Sequence, residues 1–309
     1  MSRSLKAHVL LVLVTMVWGG SFVLLKQALY DASPLLLNAI RMTVAALALG
    51  LAYRNHFARM DRAVLRFGAL VGIFLWLGYE LQTEGLRLTT PSKSGFLTGV
   101  SVILVPVFLH IFWGKWASRW TIAGVGTALA GLYLMTVPAG NGLLNLQSIN
   151  QGDLLTICSA VVFAFQIIFV GRAMQKHPFE QVATVQIVFC AVLMLPTAYF
   201  AERPYILWTP RVIWAVLVTG LVGTAAAFTV QAWAQQFTPP THTALIFMLE
   251  PVFAWVASYL ALGEKLGMRA AAGAALILGG ILMSELKGSA AEPATELPPE
   301  PSPATNSEI

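Results

Sequence analysis

Charge is scarce in this sequence: 11% of its 309 residues are Asp, Glu, Lys or Arg, against roughly 25% in a soluble domain. Aspartate occurs only at Asp31, Asp61 and Asp153. The two cysteines, Cys158 and Cys190, both lie inside apolar runs, which excludes a disulfide framework and any metal-ligand spacing. There is no His-Glu-x-x-His, no P-loop and no aspartate pair within a span, so no cofactor or metal is expected. What fills the chain instead is apolar: 57% hydrophobic residues and a mean hydropathy of +0.73. The net charge of +5 comes from Lys and Arg at the ends of apolar segments, where they face headgroups and water. It reads as membrane topology, and no nucleic-acid partner is expected.

Breaking the apolar runs at Pro, Gly and charge clusters leaves ten segments of about the ~20 residues that a bilayer core demands. They run over 7–29, 34–53, 64–88, 91–113, 119–137, 151–171, 181–200, 211–237, 241–262 and 268–286. Each must be a helix, because lipid offers no partner to the amides of an open strand. The basic start and apolar run of the first segment resemble a signal peptide. No small-x-small cleavage site follows, so an uncleaved first span is expected. From Gly288 the Pro-, Ala- and Glu-rich sequence to Ile309 has nothing to bury, and residues 288–309 are expected to form a disordered cytoplasmic tail. With the N-terminus inside, the cytoplasmic loops of the first half carry Arg3, Lys6, Arg54, Arg59, Arg62, Arg66, Lys115 and Arg119, against Lys26, Arg87 and Lys93 outside. The second half has no such bias.

Two stretches share one plan. Matching "LQTEGLRLTTPSKSGF" to "VQAWAQQFTPPTHTAL" pairs Gln82 with Gln231, Thr89 with Thr238, Pro91 with Pro240 and Ser94 with Thr243. Further on, "VPVF" around Pro106 meets "EPVF" around Pro251, and Gly114, Gly124 and Gly131 meet Gly263, Gly273 and Gly280. The expected fold is an all-α integral membrane protein of ten transmembrane helices. It is built as an inverted repeat of two five-helix halves, residues 1–140 and 150–287, because an odd number of spans makes the second copy enter from the opposite side. Pro91 and Pro240 then start equivalent helices, with hydroxyls nearby to cap them.

The polar residues inside spans are the candidates for function. Ser94, Thr98 and Ser101 share one helical face, and Thr243, Phe247 and Glu250 the matching one; a cavity face and simple interhelical packing both explain hydroxyls so placed. Glu250, about nine residues into its helix, lies ~14 Å deep by the 1.5 Å rise. A carboxylate there costs several kcal/mol unless protonated, paired or hydrated. Pro251 makes a bend beside it. Two readings stay open: a polar stitch across the bend, or a protonatable gate or substrate contact. Arg41, three residues after Asn38, can snorkel to the interface or else needs a partner at its depth, either as a structural anchor or as a substrate clamp. Glu80 and Glu84 are the candidate partners, with Arg87 competing for Glu84. Trp18, Trp76, Tyr79, Phe96 and Trp233 can line a pocket or anchor an interface. Gln82, Gln166, Gln231 and Gln235 point to polar traffic or dense interhelical bonding.

With "WGGSF" in the first span, Arg41, "TTPSKSGFLTG", the paired "VPVF" and "EPVF", and "LGEK", the sequence resembles the drug/metabolite transporter superfamily in its ten-span form with two EamA domains. The likeness covers about residues 7–286. It implies a plasma-membrane carrier, the inner membrane in bacteria, with both termini cytoplasmic and a central cavity with alternating access. It further implies a substrate that is a small metabolite such as an amino acid or a toxic compound, with export the expected direction while some relatives import or exchange. Trp18, Gly19, Ser21 and Phe22 match the first-span motif, Pro106 the fourth-span proline, and Glu250 with Pro251 the ninth-span pair. Gly263 and Glu264 match a Gly-Glu step that the first half replaces with Gly114-Lys115. Protons are the candidate coupling ion. The small-residue run Ala270–Leu282 suits either a homodimer or packing within the bundle. Alternatives from other classes are a membrane enzyme using Ser101 and His242, for which the context of a serine-protease motif is missing, and a non-transporting receptor or structural protein.

Overall fold

The computed structural model describes residues 2–89, 91–136, 150–262 and 267–288. The sequence beyond Gly288, including the expected disordered tail, and Gly263 and Glu264 lie outside the described residues. Thirteen α-helices follow one another: α1 (Arg3–Ala28), α2 (Pro34–Ala52), α3 (Arg62–Leu88), α4 (Pro91–Gly99), α5 (Ser101–Trp113), α6 (Arg119–Thr136) and α7 (Gln151–Ala173), then α8 (Phe179–Phe200), α9 (Pro210–Leu217), α10 (Ala227–Ala234), α11 (Pro240–Phe247), α12 (Glu250–Leu262) and α13 (Met268–Met283). A π-helical segment, Val218–Ala226, joins α9 to α10. Eight helical stretches are long and apolar enough to cross a bilayer, and Met268–Met283 is a shorter apolar helix. The protein is therefore an all-helical, multi-pass membrane protein. Among the described residues, the β-structure is a single bridge between Ala32 and Ile206.

Eight of the ten expected segments reappear as helical stretches long and apolar enough to cross a bilayer among the described residues; 119–137 and 268–286 appear as the helices Arg119–Thr136 and Met268–Met283, outside that set, and 211–237 carries the π segment. Two of the eight are interrupted. The fourth is interrupted at Val100, whose N–H reaches back only three residues to Leu97 at 3.2 Å. The ninth is interrupted at Met248 and Leu249, which bond to Leu245 and Ile246 at 3.1 and 3.0 Å in the same tightened way. The bend expected from Pro251 thus falls two residues before it, while Pro106 sits inside a continuous α5 six residues past its break. Proline cannot donate to the carbonyl four residues back. The residues whose carbonyls lose that partner are Val102 and Phe247.

The chain runs up and down, and contacts between loops show which ends share a face. At one end, the turn after α1 docks on the segment before α9. Leu207 N donates to Asp31 O at 2.7 Å, Thr209 Oγ1 donates to Asp31 Oδ2 at 2.7 Å, and Arg211 pairs with the same carboxylate at 2.9 Å. Glu202, past the end of α8, caps α2 by accepting from the amides of Leu35 and Leu36 at 3.3 and 2.7 Å. Lys26 donates to the carbonyls of Leu86 and Thr89, both at 2.9 Å, closing the C-terminus of α3. At α7, Asn150 and Asp153 form a reciprocal capping box, and Thr89 Oγ1 donates to Asp153 at 3.0 Å. At the opposite end, basic side chains cover rings: Arg172 lies over Trp113 at 4.7 Å and Lys6 over Trp233 at 5.5 Å.

The principal packing pairs join the first half of the chain to the second: α1 with α12, α2 with α8, α3 with α7 and α8, and α6 with α13. The last pair explains the small-residue run. Glycines of α6 face glycines of α13, so that a Cβ on Gly124 would sit 2.5 Å from the Gly280 carbonyl, and one on Gly131 would sit 2.4 Å from that of Gly273. The run packs within the bundle in this way. Gly280→Leu should therefore disrupt the α6–α13 contact by about 1–3 kcal/mol or more, read as a lower melting temperature in detergent. Gly279→Ala, which meets open space, should leave that temperature unchanged.

Candidate functional site

Helices from both halves line a cavity of about 70 Å³. By the ~10–15 Å³ a single water needs, it holds roughly five waters. α1 contributes Trp18, Ser21, Phe22 and Leu25; α2 contributes Arg41; α3 contributes Tyr79 and Gln82. Thr98 and Gly99 of α4, and Ser101 and Val102 of α5, flank the first interruption. Phe163, Gln166 and Ile167 come from α7, Thr219 and Gly223 from the π segment, and Phe228 from α10. Phe247 and Glu250 bracket the second interruption. Toward the Arg3 end of α1, an apolar cluster that includes Leu11, Val14, Val105, Ile168, Leu245 and Met248 closes the bundle.

The wall is largely aromatic and held in register. Trp18 donates its indole N–H to the Gly223 carbonyl at 2.7 Å, and its ring meets Phe228 at 5.3 Å and Phe247 at 4.9 Å. Phe228 continues to Tyr79 at 6.1 Å, and Tyr79 to Phe163 at 5.4 Å. The carbonyl that Trp18 takes belongs to the π segment, whose altered ladder is a recurring feature of functional sites in helices. Gly19 sets the crossing of α1 on α12. A Cβ there would lie 2.7 Å from the Glu250 carbonyl and the Ala254 amide, so the backbone of Glu250 rests directly against α1. Pro251 faces the other way, onto Gly95 and Gly99 of α4.

Two charges face this cavity. The carboxylate of Glu250 makes no hydrogen bond or ion pair among the described residues. Arg41, 3% exposed, lies with its guanidinium 4.3 Å from the Tyr79 ring centre, and its Nε and Nη2 donate to nothing among the described residues. Neither acid suggested as its partner forms an ion pair with it among the described residues, although Glu80 is close and its Oε2 has no hydrogen-bond partner there. Glu84 pairs with Arg87 at 2.9 Å, and Glu80 accepts from Thr197 Oγ1 at 3.1 Å.

Of the other sequence candidates, Gln82 binds Thr98 Oγ1 at 3.1 Å, and Thr98 in turn donates to the Ser94 carbonyl at 2.9 Å. Ser21 donates to the Val17 carbonyl. Gln231 and Gln235 stand behind the wall. Gln231 donates to Gln166 and to Gln235 at 3.2 Å each, Gln166 donates to Gln186 at 3.2 Å, and Gln235 donates to the Ile167 carbonyl at 2.9 Å. The glutamines are therefore interhelical bonding among α7, α8 and α10, with Gln166 touching the cavity as well. Asn38 is a brace, donating to the Tyr79 carbonyl and accepting from Thr83. Trp76 reaches Thr197, Phe96 packs in the apolar plug, and Trp233 stacks near Phe237 under Lys6. Pro240 opens α11 against Gly171, and Pro91 opens α4. His242, in the first turn of α11, does not line the cavity that Ser101 lines.

A model of the EamA-like transporter family matches residues 5–137 and again residues 150–286. The chain belongs to the EamA-like transporter family. An "Uncharacterized transporter" of Archaeoglobus fulgidus is 30% identical over 92% of this chain and 87% of its own. The "Uncharacterized transporter YoaV" of Bacillus subtilis is 25% identical over 88% and 94%. A WAT1-related protein of Arabidopsis thaliana is 24% identical over 90% and 85%. A solved crystal structure, 20% identical, superposes with a TM-score of 0.73 over 93% of this chain and 99% of that one, which shows the shared fold.

Sequence reasoning missed several wall residues of this transporter, Phe163, Phe228, Thr219 and Gly223, and had Phe22 only as part of the first-span motif. Phenylalanine facing a cavity has the same composition signature as phenylalanine facing lipid. The small-residue run "TGLVGTAAA" carried the one available signal for the π segment. The glutamine chain gives a test: Gln166→Leu leaves Gln186 and Gln231 without their shared partner. That change should cost about 1–3 kcal/mol, measured as a fall in melting temperature that Ser21→Ala does not reproduce.

Proposed function

We propose that this transporter is a secondary carrier of small metabolites, most simply an exporter, working by alternating access around the cavity described above. It would sit in the plasma membrane, the inner membrane in bacteria, with its N-terminus inside. The observation that carries the reading is a cavity lined from both halves of the chain, with an unpaired arginine and an unpaired glutamate in its wall. Intramembrane ionisable groups without protein partners are costly, and they mark substrate or ion paths.

The ten-helix inverted repeat is part of this proposal, and the packing supports it. Exchanging the first five spans for the second five turns the contact of α1 with α12 into that of α7 with α4 and α5. It turns the contact of α2 with the π segment into that of α8 with α3, and leaves α6–α13 and α2–α8 unchanged. The interruptions at Val100 and Leu249 are 149 residues apart, as are Gln82 and Gln231. Carriers built from such repeats place interrupted helices at the substrate site.

On this reading Glu250 is the group that exchanges protons with the coupling gradient, and no chemical step on the substrate is involved. The test is counterflow in proteoliposomes with labelled amino acids and small metabolites, with and without an imposed pH gradient. Exchange that responds to the gradient in the wild type and loses that response in Glu250→Gln is the expected result; Glu84→Gln, paired at the rim with Arg87, should behave as wild type. Gradient-dependent exchange that survives Glu250→Gln removes the acid from the mechanism. Absence of any exchange from folded protein removes the carrier reading for the compounds tried.

A further inference from the structure

Arg41 is the one cation among the described residues that line the cavity, and its surroundings leave it unneutralised. A buried guanidinium is stabilised by a carboxylate or by several carbonyls. Here Nε and Nη2 lack any acceptor, and the ring of Tyr79 at 4.3 Å supplies only its face. Glu80 is a neighbour, but it forms no ion pair with Arg41 among the described residues, spends one oxygen on Thr197, and does not line the cavity. The cavity is the open direction from which an acceptor can come.

We propose that the substrate is an organic monoanion whose carboxylate is held by Arg41 and whose flat apolar body lies along the aromatic wall, an assignment that rests on the carrier reading. The planar guanidinium fork matches a carboxylate. A phosphate dianion needs more positive charge than one arginine brings, and no lysine or histidine lines the cavity among the described residues. The apolar body has a built surface to meet: Tyr79, Phe228, Trp18 and Phe247 follow one another at 6.1, 5.3 and 4.9 Å between centres. An α-ammonium beside the carboxylate would sit next to the Arg41 guanidinium, whose like charge disfavours it. The ionisable groups near enough to bear on Arg41 are Tyr79, Cys190 and Glu80, and Glu250 is not among them. Glu250 lines the same cavity three residues after Phe247 and is the group left for the proton on the carrier reading.

The experiment is equilibrium binding to the purified full-length protein in detergent with four ligands on one phenyl ring: 3-phenylpropionate, 3-phenylpropionamide, 2-phenylethylamine and phenylalanine. The expected result is that 3-phenylpropionate binds, about tenfold or more tighter than the amide, as loss of a charged hydrogen bond implies. Arg41→Gln should erase that difference, and Arg41→Lys, which keeps the charge, should preserve the preference for the acid even if the glutamine variant fails to fold. Equal binding of acid and amide, preference for the amine or for phenylalanine, or binding of none of the four overturns the proposal. Counterflow run in parallel separates the two readings. Exchange of the amine without the acid keeps the carrier and removes the anion subsite; binding of the acid with no exchange of any ligand keeps the subsite and removes the carrier.

Discussion

Inside a bilayer every backbone amide and carbonyl needs a partner from the protein, and a helix can be interrupted only where protein or a polar cavity covers what is freed. That constraint fixes where the site can be. Three spans depart from regular α-helix beside one cavity, at Val100, at Met248–Leu249 and along Val218–Ala226, while a further π-helical stretch, Ser284–Gly288, ends the last helix away from it among the described residues. Proline marks two of these spans, and the two residues left without a proline N–H to accept, Val102 and Phe247, are both in the cavity wall. At the third, the indole of Trp18 satisfies the Gly223 carbonyl. The aromatic wall therefore grows out of the backbone irregularity.

Close approach is the second requirement, and glycine meets it where backbones nearly touch: at Gly72 against Gln186, at Gly85 against Gly152, at Gly19 and between α6 and α13. Gly19 lets α1 lie on Glu250, which brings the wall residue Trp18 and the acid into one site. The facing glycines of α6 and α13 close the α6–α13 contact instead. Elsewhere the helices are held by polar clasps: the glutamine chain behind the wall, and the Lys26, Asp31 and Glu202 contacts at one end. Without a hydrophobic drive between helices in lipid, such packing and hydrogen bonding are what bundle association has to draw on.

Much of this was legible in the sequence. The segments, their approximate ends and the two matched Thr-Pro entries follow from hydropathy and punctuation, because lipid leaves helix as the only answer. Among site residues, Trp18, Arg41, Tyr79, Gln82, Thr98, Ser101, Gln166, Phe247 and Glu250 do meet around one cavity. Polar residues were found more readily than apolar ones, since an amide or a charge in a span demands an account and a phenylalanine does not. What the sequence could not assign was direction around the helix. Gln231 and Gln235 turn to Gln166 and α7, Asn38 braces Tyr79, and Glu84 settles on its neighbour Arg87. These choices depend on which helix comes to lie alongside, which a single span's pattern does not contain.

The cap that Glu202 places on α2 has a mechanical side. Its two oxygens hold the first amides of α2, while α2 packs along α8 and Asp31 and Ser33 tie the same corner to residues 205–211. At that end α2, α8 and the start of α9 are thus pinned together as one strut. The seam of α1 and α4 against α12 carries no such clasp among the described residues: there Gly19, Gly95 and Gly99 bring the helices together without an ion pair.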